Sequence, residues 1–303
     1  MNRSRRNFLK AFGSIAGAFA LNNLIDENLF AAENKAAKIS VYAHLWVYAS
    51  RYPPDWDCTP ILDDVFNDLK YAGLDGVEVM EVLLRHDDAV TRFNDLIQKH
   101  GLAVSGTSYG ADMWNKNEHQ QILEDVELVV ERLRLIGGKT FGITVGDAGH
   151  VKTEDELDAQ AELLKKIISV CEKNKVEPNL HNHTFEVTNN LHDLKGTLKR
   201  IPDVKLGPDL NWLIRAGVDP VWFINTYGHQ IVYMHIRDQR ADGKWTEAVG
   251  EGVTDFPAIS KAFKDINYHH KAAIELAFDE PPKNPLREDW KKSREYVKKI
   301  FGW

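Results

Sequence analysis

The sequence predicts a single-domain α/β protein folded as a (β/α)8 TIM barrel, and three observations carry that expectation. From Lys38 onward, short β-rich runs alternate with longer segments of helical periodicity, with no linker or low-complexity tract between them. The alternating part, residues 37–303, is close to the ~250 residues typical of such a barrel. No glycine-rich dinucleotide fingerprint follows the first strand, which removes the main support for an open doubly wound sheet.

The elements follow in order. Lys38–His44 alternates as a strand, and Ile61, Val65, Phe66, Leu69 and Tyr71 mark a helix that stops at Gly73. Val77–Met80 is the second strand, followed by a helix from Asp87 to His100 that ends at Gly101. Leu102–Thr107 is the third. Its helix runs through Ile122, Val126, Val129, Val130, Leu133 and Leu135, and Gly137-Gly138 closes it. Thr140–Val145 precedes a helix at Thr153–Lys175, where Thr153 and Glu156 have capping-box spacing. The remaining predicted strands are Val176–His181, Val204–Asp209, Ile231–Ile236 and Ala272–Leu276, with a last helix from about Arg287 to Ile300.

Composition narrows the function. The 43% hydrophobic and 27% charged residues describe an ordinary globular protein, and the formal charge of −7 offers no clustered cations for nucleic acid. Cys58 and Cys171 lack the paired spacing of zinc or redox sites and are expected to be free thiols. Ser4-Arg5-Arg6-Asn7-Phe8-Leu9-Lys10 fits the twin-arginine export pattern, and a short apolar run, Ala11–Leu21, follows it. Residues 1–36 are therefore expected to be a signal peptide and leader, with a periplasmic mature protein and no membrane span after removal.

In a barrel, chemistry collects at the C-terminal ends of the strands. Those ends carry His44, Glu78, His181, His183, Asp209, His235 and Glu275. Side chains alternate faces along a strand, so His181 and His183 aim at one volume while Asn182 points away. Imidazoles and carboxylates converging on one mouth need a cation to satisfy them. One divalent ion is expected, and the mixed N/O donors suit Mn, Co, Zn or Fe better than Ca. Taken singly, each histidine has an ordinary structural reading as a hydrogen-bonded side chain; the expectation rests on successive strands ending in ligand-type residues. Between the first strand and its helix, Trp46, Tyr48, Tyr52 and Trp56 crowd a loop that has the character of a lid and a sugar-stacking platform.

Four segments are similar to the xylose isomerase-like TIM barrel family of sugar phosphate isomerases and epimerases: Leu180-His181-Asn182-His183-Thr184-Phe185-Glu186; Asp209-Leu210-Asn211-Trp212; His235-Ile236-Arg237-Asp238 with Val249-Gly250-Glu251-Gly252; and Ile274-Glu275. The resemblance implies a metal held at the ends of strands five to eight, by His181, Asp209, His235 and Glu275. Many members have Glu where His181 stands. It further implies proton transfer beside a metal-polarised carbonyl of a sugar, with Glu275 or His183 taking the proton; because nothing in the sequence resembles a phosphate cradle and phosphorylated sugars are scarce outside the cytoplasm, an unphosphorylated sugar or keto-sugar is expected despite the family's name. His44, Trp46, Glu78, Arg237 and Trp212 complete the expected substrate surround, and Glu186 is a further possible ligand. Imidazole for carboxylate at strand five leaves the cation a stronger Lewis acid, so the expected isomerase or epimerase has a competitor: a lyase or dehydratase working by β-elimination on a keto-sugar, keto-inositol or 3-keto-glycoside. A non-catalytic carbohydrate-binding protein is a third reading. A homo-oligomer is a further expectation.

Overall fold

Strands in this protein are buried on both faces, the pattern of a parallel sheet covered on both sides: all four residues of β1 (Val41–His44) and all five of β4 (Thr140–Thr144) are buried. The computed structural model describes residues 38–303; the expected leader lies outside the described residues. The other strands are β2 (Gly76–Met80), β3 (Ala103–Gly110), β5 (Glu177–Leu180), β6 (His235–Ile236) and β7 (Ala272–Glu275). They form one sheet in the order β5-β4-β3-β2-β1-β7-β6, every pair parallel. Ile39–Trp303 is one compact unit.

The predicted strand Val204–Asp209 is not a ladder strand. Pro208 has no N–H to donate, and the segment makes only isolated bridges: Leu206 pairs with both Leu180 and Ile231, and Asp209 pairs with His235. It thus stands between β5 and β6, the two ends of the sheet order. The predicted strand Ile231–Ile236 is likewise reduced to β6 and one bridge.

Helices end where the sequence places their stops. The helix Leu62–Ala72 is capped by left-handed Gly73 and the helix Ala89–His100 by left-handed Gly101, a conformation glycine adopts without Cβ strain. Glu154–Lys173 starts with the full Thr153/Glu156 capping box. The helix Leu286–Phe301 packs Trp290, Val297 and Phe301 inward. Phe66, Phe93, Phe141, Phe223, Phe256, Phe263 and Trp290 are fully buried between sheet and helices. Each such side chain contributes about 1.5–3 kcal/mol on burial, so this shell holds the polar sheet interior in place.

The expected lid is half core. Trp46–Ala49 is a short helix, and Tyr48 is 3% exposed and stacked on Trp290. Of the four rings, Tyr48 therefore belongs to the packing, while Trp46 and Trp56 contact each other at 5.4 Å. Cys58 and Cys171 are buried free thiols. No helix among the described residues is long and apolar enough to cross a membrane.

Candidate metal and sugar site

Sheet register brings the strand-end residues together. His44 is paired with Glu78 on one side and Glu275 on the other, and Asp209 is paired with His235. A register shift between Val77 and Glu78 against β3 sets Glu78 inward. His44, Glu78, His181, Asp209, His235, Arg237 and Glu275 are all buried.

His181, Asp209 and His235 each offer one ligand atom, all within 4.8 Å of one another. His181 Nδ1, Asp209 Oδ2 and His235 Nδ1 are also buried without a hydrogen-bond partner, although such atoms are normally satisfied. Asp209 reaches this arrangement as an N-cap: its Oδ1 accepts from the Asn211 and Trp212 N–H groups, 2.9 and 3.1 Å, leaving Oδ2 spare. His235 is oriented by Glu78, whose Oε2 lies 2.7 Å from Nε2. An ionised carboxylate only accepts, so Nε2 carries the proton and Nδ1 presents its lone pair. Glu275 Oε2 stands 2.9 Å from that Nδ1, out of line for a hydrogen bond. Three buried carboxylates, Glu78 on His235 and Asp209 and Glu275 on Arg237, share the cluster with that one buried guanidinium, leaving two formal negative charges. Donor type, orphaned lone pairs and charge together fit a divalent cation.

The cluster opens on a cavity of about 360 Å³ whose lining includes His44, Trp46, Met80, Glu81, Ser108, His181, His183, Trp212, Arg237, Trp245 and Glu275. Burial, reinforced by His235, Arg237 and His183, holds His44 well below the usual histidine range. As a neutral ring its Nδ1 accepts from Trp46 N–H and its Nε2 donates to Ser108 Oγ, 3.0 Å. His181 is likewise held well below the usual histidine range, chiefly by burial, with the neighbouring histidines and Arg237 disfavouring a further positive charge. His183 is pushed down to about 4, chiefly by burial; Asp209 acts in the opposite sense and Arg237 and His235 add to the fall. His183 is thereby kept as a neutral imidazole.

Two further placements differ from expectation. Glu78 does not line the cavity but lies behind His235. Glu186 does not reach the cluster: its two oxygens accept from Val145 N–H and His183 N–H, and burial pushes its carboxyl up to about 8. Arg237, for which a bridge to Asp209 or Glu251 is a simple structural alternative, contacts Asp209 and Glu275, while Glu251 bonds Lys292. Asp238 explains the rest of that segment, since it accepts from Gly250, Gly252 and Gln239 N–H groups and ties the following loop to the strand. Sequence reading missed Trp245, Ser108 and Glu81 as lining residues. Trp245 lies in an irregular loop with no periodic signal, and Ser108 and Glu81 sit at the ends of β3 and β2, where polar residues were discoverable.

Residues 66–300 match the xylose isomerase-like TIM barrel family, and the chain belongs to it. Among solved structures it is similar to a sugar phosphate isomerase/epimerase from Parabacteroides distasonis, at 17% identity and TM-score 0.70 over 88% of this chain and 95% of that one. It is also similar to 3-keto-D-glucoside 4-epimerase from E. coli, at 16% identity and TM-score 0.64 over 86% and 100%. A curated relative, inosose dehydratase from Clostridium beijerinckii, is 25% identical over 170 residues, 50% of this chain and 56% of that protein. The chain thus spans about half the length of the curated relative it matches.

Proposed function

We propose that this protein is a divalent-metal-dependent isomerase or epimerase of an unphosphorylated sugar or keto-sugar, built on a closed (β/α)8 barrel in which the segment 204–209 is the eighth stave. The observation that carries the reading is the convergence of His181, Asp209 and His235, each of which also has a buried polar atom without a hydrogen-bond partner, beside an aromatic-walled cavity lined by His181 and Glu275. His181, Asp209, His235 and Glu275 would hold the ion. Its chemistry is Lewis-acid polarisation of a substrate carbonyl, which acidifies the neighbouring C–H.

The remaining steps belong to the chain's own groups. Glu275, one face of the cavity, takes or returns the proton at the carbon beside the carbonyl, and neutral His183 accepts a hydrogen bond from a substrate hydroxyl. Arg237 faces the same space and balances negative charge that develops on substrate oxygen. Trp46, Trp212 and Trp245 offer indole faces for the C–H side of a sugar ring, which orients it and excludes water. Action outside the cytoplasm, after twin-arginine export, is part of the proposal and is supported by Ser4–Lys10.

β-Elimination, as a dehydratase or lyase, is a second reading, favoured by His181 at the strand-five position and by the inosose dehydratase relative. Incubation with candidate keto-sugars in deuterated water, followed by NMR, separates the two. Deuterium at an otherwise intact sugar supports isomerisation or epimerisation; loss of water or an aglycone supports elimination. Turnover unaffected by complete metal removal sinks both.

A further inference from the structure

Arg237 shares two of the proposed ligands. Its Nε stands 3.0 Å from Asp209 Oδ2 and its Nη2 contacts Glu275 Oε1, with the side chain 5% exposed. Oδ2 is the Asp209 oxygen that the helix cap leaves spare. The guanidinium therefore lies against Asp209, the carboxylate grouped with His181 and His235, and against the neighbouring Glu275. Its Nε, though close, is out of line for a hydrogen bond to Asp209, so the contact is held by charge more than by direction. The Arg237 guanidinium carbon is also 5.4 Å from the Trp212 ring and 4.8 Å from the Trp245 ring, both walls of the cavity, and the Arg215 guanidinium already covers the Trp245 face at 3.4 Å.

Two cations at one pair of buried carboxylates repel each other strongly, because little solvent screens them. We propose that Arg237 is a built-in competitor of the divalent ion: it neutralises Asp209 and Glu275, lowers the site's metal affinity, and is displaced from these carboxylates when the ion binds. The inference rests on the metal reading above. It makes the site one that loads and exchanges its ion.

The test uses the full chain, stripped with chelator and titrated calorimetrically with Mn²⁺ and Zn²⁺, together with melting curves at each loading. Arg237→Gln is expected to bind the ion at least about tenfold more tightly than wild type, to melt lower without ion and to gain more on loading. Arg237→Lys, which keeps the charge, is expected to stay near wild-type affinity. Equal or weaker binding by Arg237→Gln overturns the proposal. A measurement on wild type guards against a variant that does not fold: the Arg237 Nε resonance is expected to shift when Zn²⁺ is added, and a resonance that stays in place while Zn²⁺ binds overturns the proposal as well. Wild-type protein that binds neither ion fails in a different way, since it overturns the metal reading itself.

Discussion

Glu78 and His235, residues that are 1% and 2% exposed, are joined across the sheet interior by a 2.7 Å hydrogen bond between their side chains. The bond fixes the imidazole so that Nδ1, not Nε2, faces Glu275 and the cluster. Glu78→Gln is expected to weaken metal binding about 10- to 100-fold, the usual cost of losing a carboxylate behind a histidine ligand. Calorimetric titration, with circular dichroism to verify the fold, checks it; unchanged affinity would remove Glu78 from the site.

Asp209 performs two separable tasks. Oδ1 caps the helix Leu210–Arg215, and Oδ2 faces Arg237 and the cluster. Asp209→Asn can keep the cap, whereas Asp209→Ala loses it at about 1 kcal/mol or more. Both variants should lose metal affinity, but chemical denaturation should show the alanine variant as the less stable. Equal stability of the two would argue against the capping role.

Glu275→Gln and His235→Ala are each expected to lower metal-dependent turnover about 100-fold or more while leaving the barrel folded. His235→Ala strands the buried Glu78 carboxylate and should cost about 1–3 kcal/mol besides. Steady-state kinetics beside melting curves separates these effects, and wild-type turnover in either variant would refute the site.

Glu186 makes stability depend on pH. Burial raises its carboxyl from the ordinary 4.5 to about 8, so between those values the folded protein keeps a proton that the unfolded chain releases. Stability from this group is accordingly present below about pH 4.5 and is lost as pH rises through 8. Glu186→Gln should flatten that part of the curve. It should also lose about 1–3 kcal/mol, because its amide nitrogen must face one of the two backbone N–H donors. Melting temperatures across the range test both; an unchanged slope in the variant would assign the pH dependence to other groups.

Much of the fold is legible residue by residue. Thr153 and Glu156 form the capping box that their spacing announces, and Gly73 and Gly101 end their helices in the left-handed conformation. These are local signals, set by contacts a few residues apart. The segment Val204–Asp209 has the β-character of a strand, yet Pro208 denies it a ladder, and only the neighbouring edges decide how it pairs. The kinked helix Thr184–Arg200, with Asn189, Asn190 and Leu191 at positive φ, had no periodic forewarning.

By itself, the sequence determined which residue types end the strands: the periodicity that builds each strand also fixes which side chain stands last on its inward face. Register and packing alone decided what those side chains do there. Glu78 orients His235 instead of lining the cavity, and Glu186 is committed to two backbone amides. Trp245 enters the wall from a loop, and Arg237 lies between two carboxylates and two indoles. The reason is range: Glu78 and His235 are 157 residues apart, and no local propensity carries information across such a separation.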